Sequence, residues 1–318
     1  MRILANDGIS PSGKAKLEEH GFEVVTDTIP QENLASGIND GGFVGILVRS
    51  ATQVRKEHID ACPNLKLIGR GGVGMDNIDV QYGRDKGLHV INTPAASSQS
   101  VAELAIASLF SMARLTYDAD RKMPATGVTD FKALKKAYSK GTELRGKTLG
   151  IIGFGGIGQT LAKYAIGIGM HVKYITKGDK PTTDLEIEIA GQKIKVTVER
   201  TSMEDLLSTS DYISLHVPKQ ADGSAVIGEA QLAKMKPGVG LVNTSRGGTI
   251  DENALMAALN SGHVKAAALD VFVGEPAPRA DILSHPKIIS TPHVGGSTVE
   301  AQDRIGVELA EQIISLLK

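Results

Sequence analysis

The stretch LGIIGFGGIGQTLA, at residues 149–162, decides the fold. It passes from an apolar, strand-like run into Gly153-x-Gly155-x-x-Gly158 and then into a helical pattern. In that context the first glycine permits a tight turn, the second lets a pyrophosphate approach the backbone, and the third lets the helix pack on the strand. The alternative is a glycine-rich turn that binds nothing. We predict the phosphate loop of a dinucleotide-binding α/β domain, with the helix amides facing the anion.

The position that selects the adenosine ribose holds no acid. In NAD-binding domains a carboxylate about 20 residues beyond the glycine motif usually binds this ribose. Here that position falls near Thr176, followed by Lys177. A small polar residue beside a lysine suits the 2′-phosphate of NADP. Alternatively, Asp179 binds the ribose of NAD, and Lys177 is only a solvated charge on a loop. The sequence predicts NAD as the cofactor, leaves NADP open, and places a β-hairpin over 185–198 near the adenine end of the site.

Short apolar or β-branched runs alternate with helical segments on both sides of this motif, from RILA at 2–5 to IIST at 288–291. Strands separated by helices predict parallel sheets covered by helices on both faces. At about 100–200 residues per domain, the chain length indicates two domains. We place one α/β domain at 1–96 together with the C-terminal segment 292–318. The dinucleotide-binding domain occupies 97–291.

Composition excludes several classes of protein. The 318 residues carry 35 Lys+Arg against 36 Asp+Glu, a net charge of −1, so the basic excess typical of a nucleic-acid binder is missing. A single cysteine, Cys62, cannot form an internal disulfide or a multi-cysteine metal site, and we predict no metal. No apolar run approaches the ~18 residues of a membrane span, and the N-terminus does not resemble a signal peptide. We expect a cytoplasmic protein.

Three polar residues follow predicted strands of the second domain: Arg246 in NTSRGGTID, Glu275 in LDVFVGEP and His293 in TPHVGGST. Ligand sites in open α/β sheets lie at the carboxyl ends of the strands. Each residue alone has an ordinary explanation, as a surface arginine, a solvated turn glutamate or a structural histidine. Together, in the domain that carries the phosphate loop, they predict one site.

Hydride transfer between a carbinol and a nicotinamide needs these three residue types. A base must take the hydroxyl proton, and His293 is the natural choice because imidazole titrates near neutral pH. A carboxylate must orient the imidazole and stabilise its charged form, which suits Glu275. A fixed cation must hold the substrate carboxylate and polarise the carbonyl, which suits the planar guanidinium of Arg246.

Six segments, spread over nearly the whole chain, together resemble the D-isomer-specific 2-hydroxyacid dehydrogenases: GRGGVGMDNID (69–79), NTPAASSQSVAELA (92–105), GKTLGIIGFGGIG (146–158), VNTSRGGTIDENAL (242–255), AALDVFVGEP (267–276) and TPHVGGST (291–298). The resemblance implies a catalytic set that maps to Arg246, Glu275 and His293. It also implies two Rossmann-like domains, a discontinuous, flavodoxin-like substrate domain and an NAD-binding domain, with a cleft that closes between them. A homodimer through the nucleotide-binding domains is expected.

The resemblance also assigns residues to the cofactor. The expected set lies in the glycine loop and in the segments that follow the later strands. It consists of Gly153, Gly155, Gly156, Ile157, Gly158, Thr176, Lys177, His216, Val217, Pro218, Thr244, Ser245, Asp270, Gly295 and Gly296.

Within the family, LVRSATQV (47–54), GRGGVGMDNID and GTELRGKTLG look most like the branch that oxidises 3-phospho-D-glycerate in the phosphorylated route to serine. Such a substrate needs two anion sites. Backbone amides of the 71–74 turn, with Arg246, suit the carboxylate. The phosphate suits two arginines, with a lysine reaching in from a partner subunit. The predicted substrate set is Arg49, Ser50, Arg70, Gly71, Gly72, Val73, Gly74 and Lys136.

Two alternatives stay open. A glyoxylate or hydroxypyruvate reductase of the same family would not need the phosphate-binding cations, and Arg49 would then be a solvated charge. A dinucleotide-sensing binding protein, like the co-repressors that share this fold, would bind the cofactor without catalysis. The chain stops after its final helix, so we do not expect feedback inhibition by serine through a C-terminal domain.

Overall fold

The computed structural model describes residues 1–178 and 180–318. Asp179, the alternative ribose ligand in the sequence, lies outside the described residues. Over these two ranges no helix is both long and apolar enough to cross a bilayer. No cluster of three or more His, Cys, Asp or Glu side chains among them is placed to hold a metal ion.

The chain divides into two compact units. Unit 1 comprises Met1–Ser100 and Gly296–Lys318, and unit 2 comprises Val101–Gly295. Both borders fall four residues beyond the sequence-based positions at 96 and 291. The C-terminal helix therefore belongs to the N-terminal unit, which is discontinuous in sequence.

In unit 1, every residue of which is described, five parallel strands form one sheet in the order β2-β1-β3-β4-β5. This is the flavodoxin-like order, and it confirms the predicted parallel α/β class. The strands are β1 (Arg2–Ala5), β2 (Glu23–Val25), β3 (Phe43–Val48), β4 (Leu67–Arg70) and β5 (His89–Asn92).

Both faces of this sheet are buried, as the near-continuous apolar strands predict. Successive side chains of a strand point to opposite faces. Leu4 and Ile46 accordingly belong to one buried cluster, whereas their neighbours Ile3 and Leu47 belong to another on the opposite face. The polar loops at the strand ends are therefore the places where unit 1 can bind a ligand.

In the described part of unit 2, six parallel strands form a sheet in the order β13-β12-β11-β10-β6-β7, and a separate antiparallel pair joins β8 to β9. Its strands are β6 (Thr148–Ile152), β7 (His171–Ile175), β8 (Thr182–Ile189), β9 (Gln192–Glu199), β10 (Tyr212–Leu215), β11 (Val239–Asn243), β12 (Val264–Leu269) and β13 (Ile288–Ser290). The order reverses direction between β6 and β10, so this pair marks the switch point at which doubly wound sheets bind ligands.

The hairpin β8–β9 forms over the segment 185–198 in which the sequence predicts it, with a two-residue turn. Ile189 pairs with Gln192, and the two residues between them, Ala190 and Gly191, have positive φ angles of 51° and 78°. That geometry is the two-residue hairpin turn that matches the twist of the strands.

The helices, in chain order, are α1 (Pro11–Glu19), α2 (Leu34–Asp40), α3 (Lys56–Ala61), α4 (Val80–Asp85), α5 (Ser98–Arg114), α6 (Thr116–Thr126), α7 (Phe131–Tyr138), α8 (Gly156–Gly167), α9 (Met203–Thr209), α10 (Glu229–Ala233), α11 (Glu252–Ser261), α12 (Ala280–Ser284) and α13 (Val299–Leu317). Helix α13 packs against α1 in unit 1 at a glycine contact. A Cβ on Gly13 would lie 2.5 Å from the backbone of Gly306, so only glycine permits this approach.

His216 follows β10 with its ring nitrogens in the interior. Its Nε2 lies 2.8 Å from the hydroxyl oxygen of Ser214, whereas Nδ1 is out of reach of solvent and has no hydrogen-bond partner among the described residues. Burial lowers the pKa of His216 to about 4. The ring is therefore neutral at physiological pH.

This burial predicts a pH-dependent loss of stability. The pKa of His216 is lower in the folded chain than its unfolded value of about 6.5, so the unfolded state binds more protons between these values and stability falls as the pH drops through them. From pH 7 to pH 5 we expect His216 to cost up to about 2 kcal/mol of the free energy of unfolding. Urea unfolding at both pH values should show a smaller loss for His216→Gln, but an unchanged loss for the exposed His171→Gln. Equal losses in the wild type and His216→Gln would contradict the burial.

Candidate active site

The glycine loop joins β6 to α8 at the switch point. Gly153 has a φ of 95°, and a Cβ there would lie 2.3 Å from the carbonyl oxygen of His216. A Cβ on Gly158 would lie 2.3 Å from the carbonyl oxygen of Gly153. Beside Gly155, by contrast, the space within 4 Å is open. Glycine is thus required for close packing at Gly153 and Gly158, and the open side at Gly155 is where a phosphate can approach.

Helix α8 begins at this open side. Gly155 is its N-cap, and no side chain caps the helix. The first amides of a helix have no intrahelical partner, so those of Gly156 and Ile157 are available to an anion. The residues present therefore fit the pyrophosphate of a dinucleotide.

The loop after β10 lies against this motif, and the loop after β11 contributes a second polar group. Val217 would contact a Cβ on Gly153 at 2.8 Å, so the segment of His216, Val217 and Pro218 passes directly over the glycine turn. The Thr244 hydroxyl is buried and has no hydrogen-bond partner among the described residues. Such an orphaned donor is unusual in an interior and suits a polar ligand group.

Arg246 stands on a loop that Asn243 holds in place. The Asn243 side chain accepts hydrogen bonds from the amide and hydroxyl of Ser245, at 3.1 and 2.8 Å. Its amide group donates to the carbonyl oxygen of Arg246 at 3.1 Å, where the Thr249 hydroxyl also donates at 2.8 Å. Sequence reasoning missed Asn243, although it lies within the NTSRGG motif. The sequence feature that could have identified Asn243 is a polar residue at the end of an apolar strand.

The structure brings Glu275 and His293 together. Nδ1 of His293 lies 2.7 Å from Oε2 of Glu275, and the side chains are 42% and 33% exposed. Because a carboxylate only accepts hydrogen bonds, Nδ1 carries the proton and Nε2 of the neutral ring is left as an acceptor. Nε2 has no hydrogen-bond partner among the described residues. This imidazole can therefore take a proton from a hydroxyl group and return it to a carbonyl oxygen.

Asp270 fixes the loop that carries His293. Its carboxylate accepts hydrogen bonds from the Thr291 hydroxyl at 2.6 Å and from the amides of Val294 and Gly295 at 2.9 and 2.8 Å. His293 itself has a φ of 54°, an unfavourable angle for a residue with a side chain. The sequence assigns Asp270 and Gly295 to the cofactor, and this assignment stays a prediction; the structure shows that the two residues also hold the histidine loop.

Two further contacts lock the glutamate loop to the arginine loop. Glu252, buried at the start of α11, accepts a hydrogen bond from the Val273 amide at 2.8 Å. A Cβ on Gly247 would lie 1.9 Å from the carbonyl oxygen of Phe272, so the two loops touch at backbone distance. The Phe272 amide in turn donates to Oε1 of Glu275 at 2.7 Å. Sequence reasoning missed Glu252, because nothing in its own segment indicates its partner.

The predicted anion-binding residues of unit 1 surround the turn after β4. The amides of Gly71 and Gly72 already donate, to the carbonyl oxygen of Val48 at 2.9 Å and to the Thr93 hydroxyl at 2.8 Å. This corrects the expectation that all four amides of the turn are available. Only those of Val73 and Gly74 make no hydrogen bond to another described residue.

Two arginines flank this turn. The Arg70 guanidinium folds over Gly72 and donates to the carbonyl oxygen of Gly71 at 2.5 Å. The Arg49 side chain passes beside Gly71, and its guanidinium makes no hydrogen bond or ion pair with another residue that the structure describes. Ser50, next to Arg49, is exposed.

The remaining predicted residues lie elsewhere in their units. Gly296 opens the second segment of unit 1, and its carbonyl oxygen accepts a hydrogen bond from the Gln302 side chain at 2.8 Å. Lys136 is exposed on α7 of unit 2. Thr176 and Lys177 are exposed at the end of β7, next to the switch point.

Known proteins match this chain over most of its length. The family model described as D-isomer specific 2-hydroxyacid dehydrogenase, NAD binding domain, matches residues 106–295. The hydroxypyruvate reductase of Thermotoga maritima is 42% identical over 320 residues, which cover 99% of this chain and 98% of that protein. The D-3-phosphoglycerate dehydrogenase of Mycobacterium leprae is 40% identical over 268 residues, 84% of this chain and 48% of that protein. The chain spans about half the length of the D-3-phosphoglycerate dehydrogenases that it matches.

Solved structures with bound cofactors share the fold. An acyclic imino acid reductase in complex with NADPH and D-Arg has a TM-score of 0.83 and 29% identity, with 100% of this chain and 97% of that chain covered. An NAD-dependent formate dehydrogenase from Staphylococcus aureus in complex with NAD has a TM-score of 0.81 and 26% identity, with 100% and 96% covered. The chain described here therefore belongs to the D-isomer specific 2-hydroxyacid dehydrogenases, oxidoreductases that act on CH–OH donors with a nicotinamide dinucleotide.

Proposed function

We propose that His293 is the general acid–base of this enzyme and that Glu275 orients it. The observation that carries the proposal is the 2.7 Å pair of Nδ1 and Oε2, which leaves Nε2 as the only basic atom of the ring. When a 2-hydroxy acid is oxidised, Nε2 takes the hydroxyl proton and Glu275 stabilises the imidazolium. The bound nicotinamide supplies the hydride chemistry. In the reverse direction His293 returns the proton to the carbonyl oxygen.

Arg246 is the proposed anchor for the substrate carboxylate. Its loop packs at backbone distance on the segment that leads to Glu275, so the cation and the acid–base pair share one rigid support. A guanidinium binds a carboxylate through two parallel hydrogen bonds, which fixes the orientation of the carbinol carbon. We propose that this orientation selects the D isomer.

The proposed substrate is 3-phospho-D-glycerate, which is oxidised to 3-phosphohydroxypyruvate. Its support is the Arg49 guanidinium, which has no partner among the described residues, and the neighbouring Arg70. Similarity to the D-3-phosphoglycerate dehydrogenases adds to this. The second candidate is reduction of hydroxypyruvate or glyoxylate. It is favoured by the Thermotoga maritima hydroxypyruvate reductase, which matches along nearly its whole length.

The proposed assembly is a homodimer that forms through the nucleotide-binding unit. Four large apolar side chains in the region of α5–α7 are exposed: Phe110, Met123, Val128 and Phe131, the last two at 100% and 58%. An apolar surface of this kind is typical of a protein–protein interface. In such a dimer Lys136, on α7, is available to the phosphate in the partner's site.

The acid–base role of His293 predicts the result of a conservative substitution. Asn keeps a polar side chain of similar size but cannot take up a proton, so His293→Asn should lower kcat by about 10²- to 10⁴-fold. Isothermal titration should give a dinucleotide Kd within about twofold of the wild type, because the substitution leaves the glycine loop intact. His89→Asn, at an exposed site in unit 1, serves as the control. Retained turnover in His293→Asn would refute the assigned base.

The phosphate role of Arg49 predicts a selective loss. Arg49→Ala should raise the KM for 3-phosphohydroxypyruvate by roughly 10- to 100-fold, since a hydrogen-bonded charge is removed from the phosphate. The KM for hydroxypyruvate should change by no more than about threefold. Arg55→Ala, which removes an arginine paired with Asp79, is the matched control. Equal effects on both substrates would favour the reductase.

The proposed dimer predicts that glutamates introduced into its apolar surface lower the molar mass of the protein in solution. The double variant Val128→Glu, Phe131→Glu should elute as a monomer in size exclusion with light scattering, because buried unpaired carboxylates oppose association. The double variant Ile189→Glu, Ile194→Glu charges two exposed apolar residues of the hairpin and should remain dimeric. A monomeric wild type, or a dimer in the first variant, would contradict this interface.

A further inference from the structure

The hairpin β8–β9 returns to the main sheet at the end of β7. After β9 the chain runs beside β7, where Arg200 forms a parallel bridge with Tyr174 and the Thr201 amide donates to the carbonyl oxygen of Tyr174 at 2.9 Å. The Arg200 amide donates to the carbonyl oxygen of Pro181 at 2.8 Å, which closes the base of the hairpin. The hairpin thus brings an arginine to the strand end where the ribose-selecting residue of a dinucleotide site lies.

Two cations belong to this region of the chain, Lys177 just after β7 and Arg200 just after β9. The Arg200 guanidinium donates to the carbonyl oxygen of Gly178, in the same exposed loop as Lys177. Lys177 makes no hydrogen bond or ion pair with any other described residue. Among the described residues, no carboxylate pairs with either cation. Within the described part of the chain, no ion pair therefore neutralises Lys177 or Arg200, and both side chains can pair with an anionic ligand.

Tyr174 of β7 links the base of the hairpin to the glycine loop. The Tyr174 hydroxyl lies 2.9 Å from the hydroxyl of Thr183, the second residue of β8. The Tyr174 ring stacks on Phe154, the residue between the first two motif glycines, at 3.8 Å and 13°. Leu185 and Val198, from the two hairpin strands, are buried in the core of unit 2. These contacts consequently fix the position of the Arg200 backbone relative to the glycine loop.

We propose that Arg200 and Lys177 bind the 2′-phosphate of NADP(H), and that the hairpin selects this cofactor over NAD(H). A guanidinium matches the geometry of a phosphate monoester, and a lysine adds a point charge. Thr176 stands at the position where a carboxylate would bind the ribose hydroxyls of NAD. A threonine there does not repel the 2′-phosphate of NADP, and it does not supply the carboxylate that NAD would need. This inference rests on the proposed dehydrogenase function and adds the choice of cofactor.

Binding of each cofactor to the full-length protein, without substrate, tests the proposal. Titrations of NADPH and NADH, followed by nicotinamide fluorescence, should show tighter binding of NADPH by the wild type. Arg200→Ala and Lys177→Ala should each raise the Kd for NADPH by roughly 10- to 100-fold and change that for NADH by no more than about twofold. Lys195→Ala, which removes a surface ion pair with Asp184 on the same hairpin, should change neither.

A second variant separates a loss of phosphate binding from a general disturbance of the loop. Thr176→Asp restores a carboxylate at the ribose position, and it should raise the Kd for NADPH and lower that for NADH. Equal effects of Arg200→Ala on both cofactors would overturn the proposal, as would tighter binding of NADH than of NADPH by the wild type. Either result could coexist with ketoacid reduction, and then only the cofactor inference fails. If neither dinucleotide binds, the proposed function fails with it.

Discussion

The buried carboxylate of Asp270 accepts three hydrogen bonds from the segment 291–295, and the placement of His293 depends on them. Asp270 is 2% exposed, and a buried carboxylate is strongly disfavoured unless its oxygens are satisfied. The loop therefore wraps around it even though His293 must adopt a positive φ. A local backbone cost is thus offset by the hydrogen bonding of a buried charge. The ring is held with Nδ1 against Glu275, and Nε2 has no hydrogen-bond partner in the part of the chain that the structure describes.

The same principle extends to the rest of the candidate site. Asn243 holds the arginine loop, Glu252 holds the glutamate loop, and Gly247 lets the two loops touch. These residues need not contact a substrate; they fix the groups that we propose do so. Because the loops follow neighbouring parallel strands of one sheet, the proposed acid–base pair and the proposed substrate cation share the rigidity of the core of unit 2.

The sequence predicts the elements whose signal is local. Buried parallel strands read as short apolar runs, and the glycine motif has a fixed spacing, so the sheets and the phosphate loop follow directly. The pair of Glu275 and His293 was predicted from chemistry and from strand ends. Asn243 and Glu252 were not, because their roles arise from contacts between separate segments. The amides of Gly71 and Gly72 were assigned to substrate for the same reason: their partners, in β3 and at Thr93, are distant in sequence.

The most direct test of His293 and Glu275 as a D-specific acid–base pair is ketoacid reduction by the purified wild type, followed by nicotinamide absorbance and by chiral analysis of the product. With NADPH or NADH, 3-phosphohydroxypyruvate or hydroxypyruvate should be reduced, and the hydroxy acid formed should be the D enantiomer. A protein that binds the dinucleotide but reduces neither ketoacid would contradict the catalytic assignment and favour a sensing role. An L product would contradict the proposed orientation by Arg246.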